Sequence, residues 1–317
     1  MNTVLVTGGC GKIGDHICSG LLKKGNAVIA VDTQDSGYNT DKPNFTFIEG
    51  APTDKNVYGD IFDNNKIDML IHAAFTVDND LGPIVTDKEM SASKQCDKFI
   101  YRYAINGGVK KMVLLSTDRV YDFPKTREPI REDGDLKINT NYAELKYTSE
   151  KAIITEMHHS KDVIVCITRS APVYTHDFID NLESKITDPK DKVKFITGKG
   201  QYGFQLCCVH NLVDFILCFV KYADNMSYAG IYNVGDKLLT TAADIVSFLR
   251  ENHHLGTVLQ RSGSGTVSKL KGIFGGNKEE KTNYRYLDMN KLEYNNMLDT
   301  TKASKMLSFR WDIHNTK

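Results

Sequence analysis

At 317 residues the chain is long for a single hydrophobic core, so one large domain with a smaller companion is the expected organisation. Forty Lys and Arg balance forty Asp and Glu, a neutrality that gives no support to a nucleic-acid partner or a polybasic membrane contact. The first residues lack the charged flank and cleavage site of a secretory leader, and the best apolar run, Leu212–Val220, is too short to span a bilayer and holds Asp214. Seven cysteines without a Cys-x-x-Cys pair argue against a complete disulfide framework and for a reducing, cytoplasmic setting.

The apolar run Thr3–Thr7 reads as a strand and leads into Gly8-Gly-Cys-Gly11-Lys12-Ile13-Gly14, a helix-period segment over 12–24 and a second strand, Ala27–Asp32. In such a βαβ unit the glycines at 8, 11 and 14 let backbone N–H groups approach a pyrophosphate on the positive end of the helix. Asp32 accepts bonds from the adenine-ribose hydroxyls and repels a 2′-phosphate, which favours NAD over NADP. A glycine turn also serves close packing alone; here strand, turn, helix, second strand and acidic end agree on a dinucleotide.

Further strands are predicted near 44–48, 67–72, 110–116 and 162–168, with helices over 55–64, 88–107 and 141–159. This alternation is the pattern of an α/β fold, a doubly wound (Rossmann) parallel sheet with helices on both faces. The loop Phe123–Thr140 is rich in Pro, Gly and charge, as loops beside ligands often are. Past Ser170 the alternation becomes irregular. We expect a Rossmann domain over 1–170, to which about 203–234 returns, and a smaller, discontinuous substrate domain from about 171–202 and 235–317. Gln260–Lys281, rich in Gly, Ser and Lys, reads as a mobile loop. Adjacent Cys207 and Cys208 in a strand point to opposite faces and read as small core residues. The pairs His158-His159 and His253-His254 read as exposed helical residues, since sequence neighbours do not share a helix face, and no metal site is expected.

Tyr142-Ala-Glu-Leu-Lys146 sets a phenol and an ammonium four residues apart on one helix face. A Tyr hydroxyl titrates near ~10, but a neighbouring Lys⁺ and a cationic nicotinamide both favour the phenolate. The pair can then exchange a proton with a substrate hydroxyl while the cofactor exchanges hydride with the same carbon. Upstream, the strand Val113–Thr117 ends in Ser116-Thr117, which puts hydroxyls at the sheet's carboxyl edge, where doubly wound folds bind ligands. Thr117 is the candidate to polarise the reacting oxygen; turn or cap chemistry by Ser116 or Thr117 is the plainer alternative.

These residues resemble the extended short-chain dehydrogenase/reductase family, in its NAD-dependent sugar epimerase/dehydratase branch. Thr7-Gly8-x-x-Gly11-x-x-Gly14 is similar to its cofactor motif and Ser116-Thr117-x-x-Val120-Tyr121 to its catalytic segment. Tyr142 and Lys146 match its catalytic pair, and His72-Ala73-Ala74 its motif after the fourth strand, which implies Ala73, Ala74 and Lys146 at the cofactor. Arg169–Tyr174, Val209-His210-Asn211, Ile231–Gly235 and a terminal helix over Thr301–Trp311 extend the likeness. The resemblance implies sugar-nucleotide chemistry by transient oxidation of a ring carbon, and a homodimer formed through helices up to and including that of Tyr142.

Three departures bear on the substrate. Ala51 stands where the family often reads adenine with Asp, and Pro172 where an Asn lies near substrate phosphates. Phe204 stands where an Arg often clamps the diphosphate; Lys199, Arg285 or the lysines of 269–281 are alternative sources of charge. In the family's 4,6-dehydratases an Asp-Glu pair follows the Thr; here it is Asp118-Arg119, and an arginine cannot act as base. Arg119 fits a substrate anion or an ion pair with Glu128, Glu132 or Asp133. Asp118, Arg119, Tyr174 and Phe204 are the candidate substrate contacts, with Tyr121 and Phe123 as further pocket or core residues. His72 reads as a packing residue or one bonded to backbone.

The leading expectation is an NAD-dependent epimerase of a nucleotide sugar. The alternatives are a dehydrogenase or ketoreductase on another alcohol, a 4,6-dehydratase weakened by Arg119, and a non-enzymatic cofactor-binding regulator.

Overall fold

The computed structural model describes residues 1–75, 85–122, 128–138, 140–158, 162–188, 191–261 and 297–316. Six predicted strands are present as β1 (Thr3–Thr7), β2 (Ala27–Asp32), β3 (Phe45–Glu49), β4 (Met69–His72), β5 (Lys111–Thr117) and β6 (Ile164–Ser170). Helices α1 (Gly14–Lys23), α2 (Lys55–Asn64), α3 (Asp87–Asn106) and α4 (Asn141–Met157) alternate with them. After β6 come β7 (Val173–Tyr174), α5 (Asp180–Glu183), β8 (Phe195–Thr197), β9 (Gly203–Phe204), β10 (Cys207–Cys208) and α6 (Val209–Tyr222). The described chain continues with β11 (Gly230–Val234), β12 (Thr240–Thr241), α7 (Ala242–Asn252), β13 (Leu259–Arg261) and a short α8 (Thr301–Ser304).

The main sheet runs β11-β6-β5-β4-β1-β2-β3, all pairs parallel. Its strands are apolar on both faces, as a sheet covered twice must be. Val4, Val6, Val28, Ala30, Ile71 and Val113 join one apolar cluster with Ile17 and Leu21 of α1 and Phe215 and Phe219 of α6. Their sequence neighbours Leu5, Ile29, Val31, Leu70, Met112 and Leu114 join the other, with Tyr58 of α2, Ile100 of α3 and Ile153 of α4. The two-residue period of a strand thus sorts each run between two cores. A third cluster gathers Leu182, Leu206, Ile245 and Leu249 around β7–β10 and α7. Cys207 belongs to the first cluster and Cys208 to the third, the opposed placement expected of strand neighbours.

Several expectations need correction. Of the stretch 203–234, Gly230–Val234 pairs with the main sheet and α6 packs against it, while β9 and β10 pair with β12 and β7. The terminal helix is a single turn, Thr301–Ser304, and further on the backbone N–H groups of Arg310 and Trp311 bond to the Asn211 side-chain oxygen. Gln260 and Arg261 lie in β13, and the rest of the expected mobile loop lies outside the described residues, as do Phe123, His159, Arg285 and the lysines of 269–281. His253 ends α7 half-buried, with Nε2 bonded to the His176 carbonyl.

Two buried polar centres join elements that apolar packing leaves open. Arg169 of β6 meets Glu150 of α4 in a forked pair, Nε to Oε1 at 3.0 Å and a terminal nitrogen to Oε2 at 2.7 Å, and Ser116 of β5 donates to the same carboxylate. Asp236, just past β11, accepts from the Tyr174 hydroxyl (2.8 Å), the Cys208 N–H (2.7 Å) and Asn211 Nδ2 (2.8 Å). Burial pushes the Asp236 carboxyl up to about 7.

Removing one partner of the forked pair strands a buried charge, so Glu150→Gln should cost about 3–5 kcal/mol in urea unfolding. The apolar double replacement Glu150→Met with Arg169→Met should cost less than the single change. For Asp236 the native state holds its proton to about pH 7, whereas the unfolded chain releases it near 3.8. Stability relative to Asp236→Asn should therefore fall as pH rises through that window, by about 1.4 kcal/mol per unit, and level off above it. Paired denaturation curves at pH 5 and 8 measure this.

Candidate active site

The sheet order reverses direction between β1 and β4, and at such a switch point the loops leaving adjacent strands part and open a crevice. A cleft of about 660 Å³ lies there. The Thr7 hydroxyl holds its rim: it accepts from the N–H groups of Ala73 and Ala74, both at 3.1 Å, and shares a hydrogen bond with His72 Nδ1 at 2.8 Å. His72 Nε2 in turn meets Asp97 Oδ1 of α3 at 3.1 Å. His72 is fully buried and reaches side chains rather than backbone.

Every expected cofactor residue lines this cleft: Gly8, Gly11, Lys12, Ile13, Gly14, Asp32, Ala73, Ala74 and Lys146. Gly8 adopts φ +67°, and a Cβ there would stand 2.9 Å from the Ala73 carbonyl carbon and the Ala74 nitrogen. A Cβ on Gly14 would run into the Gly8 carbonyl, so the turn closes onto the helix only with glycine at both places. Asp32 is held by the Cys10 N–H (3.0 Å) on one oxygen and the Thr33 N–H (2.8 Å) on the other. It lines the same end of the chain path as Thr33, Ala51, Pro52 and Thr53. This carboxylate and the bare glycine backbone fit a dinucleotide that carries free ribose hydroxyls.

Thr117, Tyr142 and Lys146 also line the cleft. Tyr142, Lys146 and Glu150 recur at four-residue spacing, so they form one stripe of α4, and that stripe is fastened along the end of β5. Lys146 Nζ donates to the Leu115 carbonyl at 2.8 Å and sits 3.3 Å from the centre of the Phe75 ring and 5.7 Å from that of Tyr142. Ser116 donates to Glu150. The Thr117 hydroxyl donates to Asp118 Oδ1 at 3.3 Å and accepts the Arg119 N–H at 3.2 Å. Both Ser116 and Thr117 line the cleft; the Ser116 hydroxyl is engaged by Glu150, and Thr117 caps the turn Asp118–Val120.

Among the four expected substrate contacts, only Arg119 lines the cleft. Asp118 is buried behind it, bonded to Thr117 and 3.8 Å from Arg119 Nε. Tyr174 is fully buried with its hydroxyl on Asp236. Phe204 pairs in β9 and packs edge-on against Tyr202, and Tyr121 is core with its hydroxyl on Asn233. Of the acids near Arg119 in sequence, Glu132 accepts the Asn233 N–H, Asp133 pairs with Arg131, and Asp118 pairs with Arg119 itself at 3.8 Å.

Sequence reading missed the wall contributed by Phe178, Asn181, Ser184 and Lys185. Asn181 Nδ2 donates to the Val173 carbonyl at 2.8 Å, next to Pro172, and Lys185 Nζ lies 5.9 Å from the Phe204 ring. Lys12 reaches this wall, 4.1 Å above Phe178 and 3.5 Å from Asp180. Only the four-residue spacing of Asn181 and Lys185 hinted at them. Among the described residues, no group of three or more His, Cys, Asp or Glu is placed to hold a metal, and no helix is long and apolar enough to cross a membrane.

Comparison with known proteins places the chain by sequence and shape. It is 32% identical over 165 residues to UDP-glucose 4-epimerase of Lacticaseibacillus casei, a match spanning 47% of this chain and 45% of that protein's length. To dTDP-D-glucose 4,6-dehydratase of Mus musculus it is 24% identical over 275 residues, 79% of this chain and 74% of the relative. The structure of UDP-glucuronic acid 4-epimerase from Bacillus cereus in complex with NAD superposes with a TM-score of 0.70 at 17% identity, covering 99% of this chain and 95% of that one. The model of the NAD dependent epimerase/dehydratase family matches residues 4–235, and the chain belongs to that family.

Proposed function

We propose that the chain epimerises a nucleotide-linked sugar, oxidising and re-reducing one ring carbon with NAD. The observation that carries this reading is that Thr117, Tyr142 and Lys146 share one cleft with the glycine turn and Asp32. Bound NAD supplies the hydride acceptor and donor of such a cycle. Tyr142 takes the proton of the sugar hydroxyl and later returns it. Lys146 keeps a positive charge beside the Tyr142 ring, which favours the phenolate, and offers its ammonium to the ribose hydroxyls of the nicotinamide half. Thr117 turns its hydroxyl from Asp118 to the reacting oxygen and holds it. Phe75, Pro172 and Val173 give this end of the cleft an apolar surface that excludes water.

A dehydratase is the second reading, favoured by the dehydratase relative. Elimination needs an acid and a base at neighbouring carbons, and the turn after Thr117 offers neither: Asp118 is buried outside the cleft wall and Arg119 stays protonated. Epimerisation asks only for the single proton-transfer centre that Tyr142 supplies.

Incubation with NAD and nucleotide sugars, followed by NMR, should give an epimer with no net NADH. Accumulating NADH without an epimer, or a product lacking water, would contradict the proposal. Tyr142→Phe should lower turnover by roughly 10²–10⁴-fold while NAD binds within about twofold of the unchanged chain. Asp32→Ala removes a charged hydrogen-bond acceptor and the repulsion of a 2′-phosphate together. It should weaken NAD binding by about tenfold or more and narrow the NAD-over-NADP preference, read by titration calorimetry.

A further inference from the structure

β2 and β3 are parallel neighbours with Asp32 opposite Glu49, and the Gly50 N–H donates to the Asp32 carbonyl at 2.9 Å. The chain leaving β3 therefore passes beside the residue whose carboxylate fits the free ribose hydroxyls of a dinucleotide. Its next residues, Ala51, Pro52 and Thr53, line this end of the cleft together with Thr33. A base carried on that ribose has this wall within reach, whereas the glycine turn serves the pyrophosphate.

What the wall offers a base is mostly surface. Ala51 presents a methyl group and Pro52 a ring without an N–H, so their side chains pack on a purine face and bond nothing on its edge. The Ala51 carbonyl accepts the Asp54 N–H at 3.0 Å. Nearby carboxylates that could select an exocyclic amino group are committed to helix caps. Asp54 accepts the Asn56 and Val57 N–H groups through Oδ1 at the start of α2, and Glu89, also on the cleft, accepts the Thr86 N–H and hydroxyl through Oε2 at the start of α3. Among the described residues of this wall, the side chains left to meet a base edge are the hydroxyls of Thr33 and half-buried Thr53. A hydroxyl rotates to donate or to accept, so it serves a 6-amino and a 6-oxo purine with equal ease. Thr33 and Ala51 are exposed, so water reaches the same edge and can bridge to either substituent. Asp32 has no such freedom, held as it is by two backbone N–H groups and able only to accept.

We infer that this pocket selects its cofactor by the ribose hydroxyls and pyrophosphate and not by the base. Nicotinamide dinucleotides of 6-oxo purines then bind as NAD does, with Thr53 as the contact to the purine edge of either. This rests on the placement of the ribose hydroxyls at Asp32 given above.

The test titrates the full-length chain, stripped of nucleotide, with NAD and with nicotinamide hypoxanthine dinucleotide in a calorimeter. The pair differs at the purine edge alone, where a 6-oxo group and an N1–H replace the 6-amino group and a bare N1. The two should bind within about threefold of each other, whereas a fixed acceptor on the amino group separates such a pair by about tenfold or more. Ala51→Asp supplies that acceptor and should open a preference for NAD of about tenfold. Ala51→Asn, whose amide can turn either way, should leave the pair together. Thr53→Val should weaken both by a similar factor, about two- to fivefold. A preference for NAD of about tenfold or more in the unchanged chain overturns the proposal. So does an Ala51→Asp variant that binds the two equally, since residue 51 then does not face the base, or a Thr53→Val loss confined to one of them. If neither dinucleotide binds, the placement of the cofactor in this cleft falls, and this proposal with it.

Discussion

The buried pair between Arg169 and Glu150 is the constraint on which the candidate site depends. Two charges taken out of water are costly, and the mutual attraction offsets this only when the geometry is good and the remaining lone pairs are satisfied. Both conditions hold: the guanidinium grips both carboxylate oxygens, Ser116 supplies a further donor, the Glu132 carbonyl accepts a third nitrogen at 3.3 Å, and the Tyr121 ring lies 4.8 Å from the guanidinium carbon. The result is directional in a way that apolar packing is not. Helix α4 has a weakly amphipathic sequence, with Tyr, Lys, Ser and Glu among its buried residues, so greasy contact alone would leave its rotation loosely specified. Pinning Glu150 fixes that rotation, and Lys146 and Tyr142 follow at successive turns. The distance from Tyr142 to Thr117 is thus governed by an ion pair two turns away.

A second polar chain does the same for the cofactor side. β1 and β4 are neighbours whose chains leave in opposite directions, and such a parting leaves backbone N–H groups without strand partners. The Ala73 N–H is shared between the Thr7 carbonyl and the Thr7 hydroxyl, and the Ala74 N–H is met by the hydroxyl alone. The same hydroxyl oxygen lies 2.8 Å from His72 Nδ1, and His72 Nε2 lies 3.1 Å from Asp97 Oδ1, so the chain of polar contacts runs on from β1 through β4 to α3. The Asp97 carboxylate keeps a second oxygen with no partner among the described residues, in a region that also holds the unpartnered hydroxyls of Tyr58 and Ser93. Strand ends, glycine turn and α3 are coupled by this run of single donors and acceptors.

How far the chain could be read in advance follows from the range of the forces involved. Strands and helices of the first half were legible because each run must satisfy two apolar cores at period two or one at period 3.6, and these periods survive in the sequence. The cofactor cradle was legible for a similar reason: Gly8 and Gly14 answer local steric demands, and Asp32 lies one βαβ unit away. Tyr142 and Lys146 could be paired by helix spacing alone. Tyr174 and Phe204 were misplaced because a motif position says which backbone segment passes the site, not which way its side chain turns; Tyr174 turned to Asp236, and Phe204 to Tyr202. Asn181 and Lys185 were missed because they reach the cleft through a fold in the chain past β7 that no periodicity announces.

The far wall of the cleft shows what replaces periodicity there. β7 and β10 are two residues each, too short to define their own register. Asp236 supplies it from outside, with one oxygen on the Cys208 N–H and Asn211 and the other on the Tyr174 hydroxyl, while its carbonyl accepts Gln205. The same Asn211 carries the Arg310 and Trp311 backbone on its oxygen. Since Asp236 lies two residues past the end of β11 and Pro172 two residues past the end of its sheet partner β6, the wall is suspended from the edge of the main sheet through one carboxylate. Its three donors match the ionised carboxylate, whereas a proton on the acid must displace or reverse one of them. This wall of the cleft accordingly hangs on a carboxyl whose protonation follows pH, whereas the α4 stripe of Tyr142 and Lys146 is held by a permanently charged arginine.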